Sequence, residues 1–195
     1  EAVDLGLPSG TKWASWNVGA KSETEYGSYF AWGETEEKED YTWDTYTWGI
    51  YDGSDYTNYG MKKYNGKDGL KTLEAGDDPA IATWGNKWHT PTRTEMDELL
   101  NNCEWTWTTK KDAGGKNVNG YIVTGKNDKS IFLPAAAYRY GTELNEFVGK
   151  SGYYWSSTRE YPSYAYCIYF FSTDYDPYLR SYSCCSGLSV REVTK

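Results

Sequence analysis

The chain has 195 residues, a formal net charge of −8 and a pI near 4.8. This length suits one domain, residues 1–195, with a substantial core. The acidity, without any basic cluster, excludes nucleic acid and anionic membrane as partners of a general basic surface. No apolar stretch approaches the roughly 20 residues of a membrane span, and no basic-then-apolar signal follows Glu1. A start on Glu rather than Met is expected of a trimmed chain. Twenty Tyr and ten Trp stand against five Phe, so many core rings must carry polar edges that need hydrogen-bond partners.

In chain order, residues 12–18 alternate as a short strand, with Trp13 and Ser15 on one side and Ala14 and Trp16 on the other. Residues 34–71 are acidic, then rich in Tyr, Trp and Gly, and predict a long surface excursion, either a lid or packed decoration. Residues 77–84 open on acids and Pro79, favouring a short helix. The clearest helix begins at Thr92: Pro91 precedes it, Glu95 completes the capping-box spacing, and Met96, Leu99 and Leu100 share one face before Asn101 and Asn102 close it. Short strands are expected at 104–109, 120–124, 130–134, 136–140, 153–156, 165–171 and 188–193, with a hairpin turn near Lys126, Asn127 and Asp128. The class is α+β: two helices packed on a small, twisted, mostly antiparallel sheet with long loops.

The composition changes sharply near the end. Residues 161–191 contain no Lys, Glu, Gln, Met or Trp, although the whole chain holds 15 Lys, 15 Glu, 10 Trp and 2 Met, and the next longest such run is the 13 residues 130–142. Strand alternation in 165–171 puts Tyr166, Ile168 and Phe170 on one side and Cys167, Tyr169 and Phe171 on the other. Ile168 and Phe170 suit the core, which leaves Cys167, Tyr169 and Phe171 facing outward. Residues 178–186 show no helical or strand periodicity. The candidate ligand-binding surface within 161–186 comprises Tyr161, Ser163, Tyr164, Cys167, Tyr169, Phe171, Asp174, Asp176, Tyr178, Leu179, Ser181, Tyr182, Ser183, Cys185 and Ser186. Tyr and Ser are the residues of adaptable paratopes, which combine rigid ring area with small polar groups. The competing reading is a β-rich end that packs its rings against the core.

Enzyme and metal signals are weak. Cys103, Cys167, Cys184 and Cys185 form no C-x-x-C, and His89 is the only histidine, so no zinc set exists. Cys184 and Cys185 are adjacent, a strained geometry for a mutual bond, so separate thiols or one distant bridge are expected. His89 sits just before the capping box, where a structural role outweighs a catalytic one, and no G-x-S-x-G elbow accompanies it. Glu36, Glu37, Glu39 and Asp40 read as solvated acids. Asp174 and Asp176 fall short of the roughly six to eight oxygens calcium takes. No catalytic residue, metal or cofactor is assigned.

Six segments then carry a resemblance: VDLGLPSGTKWASWNVGA (3–20), EYGSYFAWGET (25–35), WGNKWHTPTRTEMDELL (84–100), SIFLPAAAYRYGT (130–142), YYWSST (153–158) and GLSVREV (187–193). In order, and over nearly the whole chain, they resemble the Fibrobacter succinogenes major paralogous domain. His89 stands where that family more often has Arg, and Glu192 where it more often has Pro. The resemblance implies a C-type-lectin-like fold of the formylglycine-generating-enzyme branch, with the termini meeting in one sheet. It also implies an exported protein of a gut anaerobe: a cell-surface or outer-membrane lipoprotein or a secreted protein, with a lipid anchor or a longer surface protein upstream.

Some proteins of this fold are variable proteins of diversity-generating retroelements, in which template adenines are randomised, mostly at AAC or AAT codons. Scrambling the leading bases of such codons never yields Lys, Glu, Gln, Met or Trp, the types missing from 161–191. This implies template adenines at the codons of Cys167, Tyr169, Phe171, Leu179 and Ser183, and a non-enzymatic protein displaying a diversified surface to a protein or glycan on another cell, phage or host. The alternative is a fixed-specificity adhesion or carbohydrate- or protein-binding module of the same fold. A formylglycine-generating-enzyme-like oxidase is the remaining alternative, but adjacent Cys184 and Cys185 do not reproduce that enzyme's separated copper-binding pair. The E-P-N, Q-P-D and W-N-D tripeptides of calcium-dependent lectins are also missing.

Overall fold

The capping residues set both helices. The Thr92 hydroxyl accepts the Glu95 amide at 3.2 Å, and the Glu95 carboxylate accepts the Thr92 amide at 3.1 Å, so α2 (Arg93–Asn102) starts where its spacing requires. Met96 and Leu99 on its inner face are fully buried. Asp78 caps α1 (Pro79–Trp84) through the Ala80 amide at 2.9 Å, with Pro79 in the first turn. The same carboxylate takes the Thr90 hydroxyl at 2.6 Å, tying α1 to the segment that enters α2.

The computed structural model describes residues 1–50 and 60–195. Its strands are β1 (Ala2–Val3), β2 (Lys12–Ala14), β3 (Glu104–Lys111), β4 (Asn117–Thr124), β5 (Ser130–Pro134), β6 (Arg139–Tyr140), β7 (Glu143–Leu144), β8 (Ser151–Tyr161), β9 (Tyr164–Phe171), β10 (Tyr178–Ser183) and β11 (Val193–Thr194). They form sheets in the orders β1-β2-β11, β3-β4-β5, β10-β9-β8 and β6-β7, all with antiparallel neighbours. The architecture of the described residues is therefore α+β, with two α-helices. The first and last strands both flank β2. No helix of the described residues is long and apolar enough to cross a membrane.

The β10-β9-β8 sheet lies between two hydrophobic clusters. Tyr154, Ile168 and Phe170 point into one, with Leu5, Trp13, Met96, Leu99 and Leu133. Tyr153, Trp155, Cys167 and Tyr169 point into the other, with Phe30, Trp32, Tyr41 and Tyr64. Gly152 pairs with Phe170 and must be glycine, because a Cβ there would collide with the Phe170 ring. Several buried rings satisfy their polar edges on backbone carbonyls: Tyr41 Oη on Tyr29 and Tyr46 Oη on Trp32, both at 2.6 Å, and Trp155 Nε1 on Phe30 at 2.7 Å, whereas Trp13 Nε1 has no partner among the described residues.

Several expectations change. The excursion at 34–71 is not superficial, since Tyr41, Tyr46, Met61 and Tyr64 are buried in the second cluster; its residues 51–59 lie outside the described set. Strand β2 is shorter than 12–18, and Trp13 and Ala14 are both buried, so its two faces are both covered. The segment 136–140 yields only β6, because Ala137 adopts a left-handed φ of 51° that interrupts extended pairing. In 188–193 only short pairing forms before β11: isolated bridges join Leu188 to Phe30 and Ser189 to Tyr154. Residues 178–183 form β10 despite their aperiodic sequence. Alternation is legible when one face is wet and the other dry, whereas every residue from Leu179 to Ser183 is half-buried. All four cysteines are free thiols.

Candidate ligand-binding face

Antiparallel pairing places partners on the same side of a sheet. Tyr153, Tyr169 and Tyr178 therefore form one row across β8, β9 and β10, and Trp155, Cys167 and Arg180 form the next. Tyr182, opposite Ala165, continues the same face. The rings are in contact: Tyr153 lies 4.8 Å from Tyr169 and 5.1 Å from Tyr182, and Tyr169 lies 5.6 Å from Tyr178, centroid to centroid. Tyr138 closes the inner end at 4.9 Å from Tyr153. The Arg180 guanidinium sits 4.8 Å from the Tyr169 ring and 5.6 Å from that of Tyr182, within cation–π range.

Burial pushes the Tyr153 phenol up to about 12 and those of Tyr169 and Tyr182 higher still. These phenols stay neutral donors at any ordinary pH, which leaves Arg180 as the charge among them. At the outer end the face opens to solvent through Tyr175 and Tyr178, and Phe147 lies 5.2 Å from Phe171 beside it.

The loop at 172–177 is held by its backbone. The Ser172 amide donates to the Lys150 carbonyl at 2.6 Å, and the Ser172 carbonyl accepts the Tyr121 hydroxyl at 2.6 Å. Farther along, the Cys184 carbonyl accepts the Trp32 amide at 2.9 Å. The hydrogen bonds that tie 161–186 to the rest of the protein run mainly through such groups and the β8–β9 ladder, while Cys167, Tyr169, Ile168 and Phe170 pack their side chains into the two clusters. Among side chains, Tyr166 Oη accepts from Arg93 Nη1 at 3.3 Å. Arg191 differs. Its guanidinium, 1% exposed, donates to Asn17 Oδ1 at 2.8 Å and to the carbonyls of Ala14 and Phe132 at 3.2 and 2.7 Å.

The sequence-predicted residues do not form one surface. Cys167, Tyr169, Phe171, Tyr178 and Tyr182 share the tyrosine face, whereas Tyr164, Leu179, Ser181 and Ser183 point to the opposite side of the sheet. Tyr161 stacks on Tyr164 at 5.0 Å at the β8–β9 turn, where Ser163 also lies, at the far end of the strands from Asp174 and Asp176. Tyr161, Asp174, Asp176 and Tyr178 are exposed. Cys167 and Tyr169 do not face solvent as expected: the alternation is right, but a second layer of protein covers that face. Cys185 and Ser186 are buried as well. Burial pushes the Cys167 thiol up to about 12, so it is unreactive. Sequence reading passed over Tyr175, Arg180, Tyr138, Tyr153 and Phe147. No sequence signal marks Arg180, because it shares a face with Tyr178 and Tyr182 only once these residues are known to form a strand.

Elsewhere, His89 Nε2 contacts Glu95 Oε1 at 2.9 Å, an interaction that raises the imidazole and joins the helix cap to β11. Among the described residues no group of three or more His, Cys, Asp or Glu side chains is arranged to hold a metal. No protein-family model, curated protein or solved structure matches the chain.

Proposed function

We propose that this chain is a non-enzymatic, exported display domain of the C-type-lectin-like type, related to the Fibrobacter succinogenes major paralogous domains. Its tyrosine–arginine face and the 172–177 loop bind a protein or glycan on another cell, phage or host surface, and residues 161–186 are diversified by a retroelement. One observation carries this reading: within the run that lacks Lys, Glu, Gln, Met and Trp, residues 161–186 are hydrogen-bonded to the rest of the protein mainly through their backbone, while Tyr, Asp, Arg and Ser side chains are presented at the outer end. Backbone attachment leaves side chains free to change without releasing the strand or loop. The meeting of the first and last strands at β2 supports the proposed family.

The flanking DNA tests it. The expected finding is a near-identical template repeat beside a reverse transcriptase, with adenines at the codons of exposed or half-buried residues such as Phe171, Tyr178, Leu179 and Ser183. Absence of any template sinks diversification. A fixed-specificity module is favoured by one observation, the full burial of Cys167 and Cys185, since random replacement at packed sites is costly. On the diversification reading, those two codons are spared.

A further inference from the structure

A groove of about 560 Å³ lies where the scaffold meets the 172–177 loop. Trp105 and Trp107, two apart on β3, share one face of that strand and meet the Tyr121 ring edge-on at 5.8 and 5.2 Å. The Tyr121 hydroxyl holds the Ser172 carbonyl, which hangs Asp174, Tyr175 and Asp176 over these rings. Both aspartates are exposed, and among the described residues neither carboxylate has an ion-pair partner or a hydrogen-bond donor. Burial, and then the Asp176 charge, raise the Tyr121 phenol, which places that carboxylate's field on the aromatic floor.

A π floor beside two unpaired carboxylates complements a flat or aliphatic cation. A guanidinium gains from both: it stacks on indole and pairs with carboxylates in the same plane. A neutral sugar gains stacking but nothing from the net negative field, and an anion is repelled. We propose that this groove receives an arginine or lysine side chain of a polypeptide ligand. The proposal rests on reading this end of the molecule as the binding face. It adds a division of labour: Trp105 and Trp107 lie outside 161–186 and give a constant platform, while Asp174 and Asp176 belong to the replaceable loop and set the preferred charge.

The test is a titration of the intact protein with an oligoarginine peptide, an oligoglutamate peptide and a neutral malto-oligosaccharide, followed by indole N–H resonances. The expected result is saturable, salt-weakened binding of oligoarginine, with shifts at the Trp105 and Trp107 signals. Affinity should fall about tenfold in Asp174→Asn/Asp176→Asn and less than about twofold in Glu36→Gln/Glu39→Gln, which removes the same charge from another exposed loop. Equal losses in the two double variants would show mere attraction to net charge and overturn the proposal. Binding of the oligosaccharide in preference to oligoarginine would overturn it too. The outcome is separable from the parent reading, because a missing genomic template leaves this titration standing and a failed titration leaves a template standing.

Discussion

Residues 161–186 and Arg191 draw on the same restricted alphabet, yet the protein holds them in opposite ways. The exposed part of the first stretch hangs on backbone groups, the Ser172 amide and carbonyl, the Cys184 carbonyl and the ladder to β8, whereas Cys167, Ile168, Phe170 and Cys185 bury their side chains in the core. Arg191 is fixed by its side chain, which serves three buried acceptors and has no aliphatic substitute. Composition alone cannot separate a residue that must be itself from one that only must not obstruct. Burial and the source of the hydrogen bonds separate them.

Four substitutions and a pH series sharpen or break this contrast. Arg191→Ala strands Asn17 Oδ1 and the Ala14 and Phe132 carbonyls in the core and is expected to cost about 3–5 kcal/mol in urea unfolding. Next is Glu192, fully buried with neither carboxylate oxygen partnered, whose pKa burial pushes up to about 7. The native state then keeps a proton that the unfolded chain releases. Stability should be fullest below the ordinary glutamate pKa, fall as pH rises through about 7 by on the order of 3 kcal/mol, and stay flat above. Glu192→Gln should remove that slope. Cys167→Tyr overfills the packed face beside Trp155 and should cost about 1–3 kcal/mol. Smallest is Tyr178→Ser: the ring is 43% exposed and its aromatic partners among the described residues are Tyr169 and Tyr175, so about 1 kcal/mol or less is expected. A loss at Tyr178 as large as that at Cys167 would erase the distinction.

Local chemistry was readable in the sequence, and layering was not. The Thr92–Glu95 box, the Asp78–Pro79 start, the turn at Asp128 and the alternation of β9 each depend on neighbours a few residues away, and each forms as the sequence predicts. The exposure of Cys167 and Tyr169 depended on what covers their face, and that cover comes from Trp32, Tyr41, Tyr46 and Tyr64, far off in the chain. The candidate surface split for a related reason. Alternation along β10 assigns Leu179, Ser181 and Ser183 to one side and Tyr178, Arg180 and Tyr182 to the other, a division visible only once 178–183 is known to be a strand. The Trp105–Trp107 platform was out of reach, because it meets the 172–177 loop only through the packing of β3 and β4 beneath it.

The claim that backbone attachment frees the side chains of this face is tested most directly by randomising codons and selecting for folded protein by protease resistance. One library varies Tyr175, Tyr178 and Arg180; the other varies Cys167, Ser186 and Arg191. The account predicts that most members of the first library survive and that the second collapses to sequences close to the present one. Equal depletion of both would contradict it.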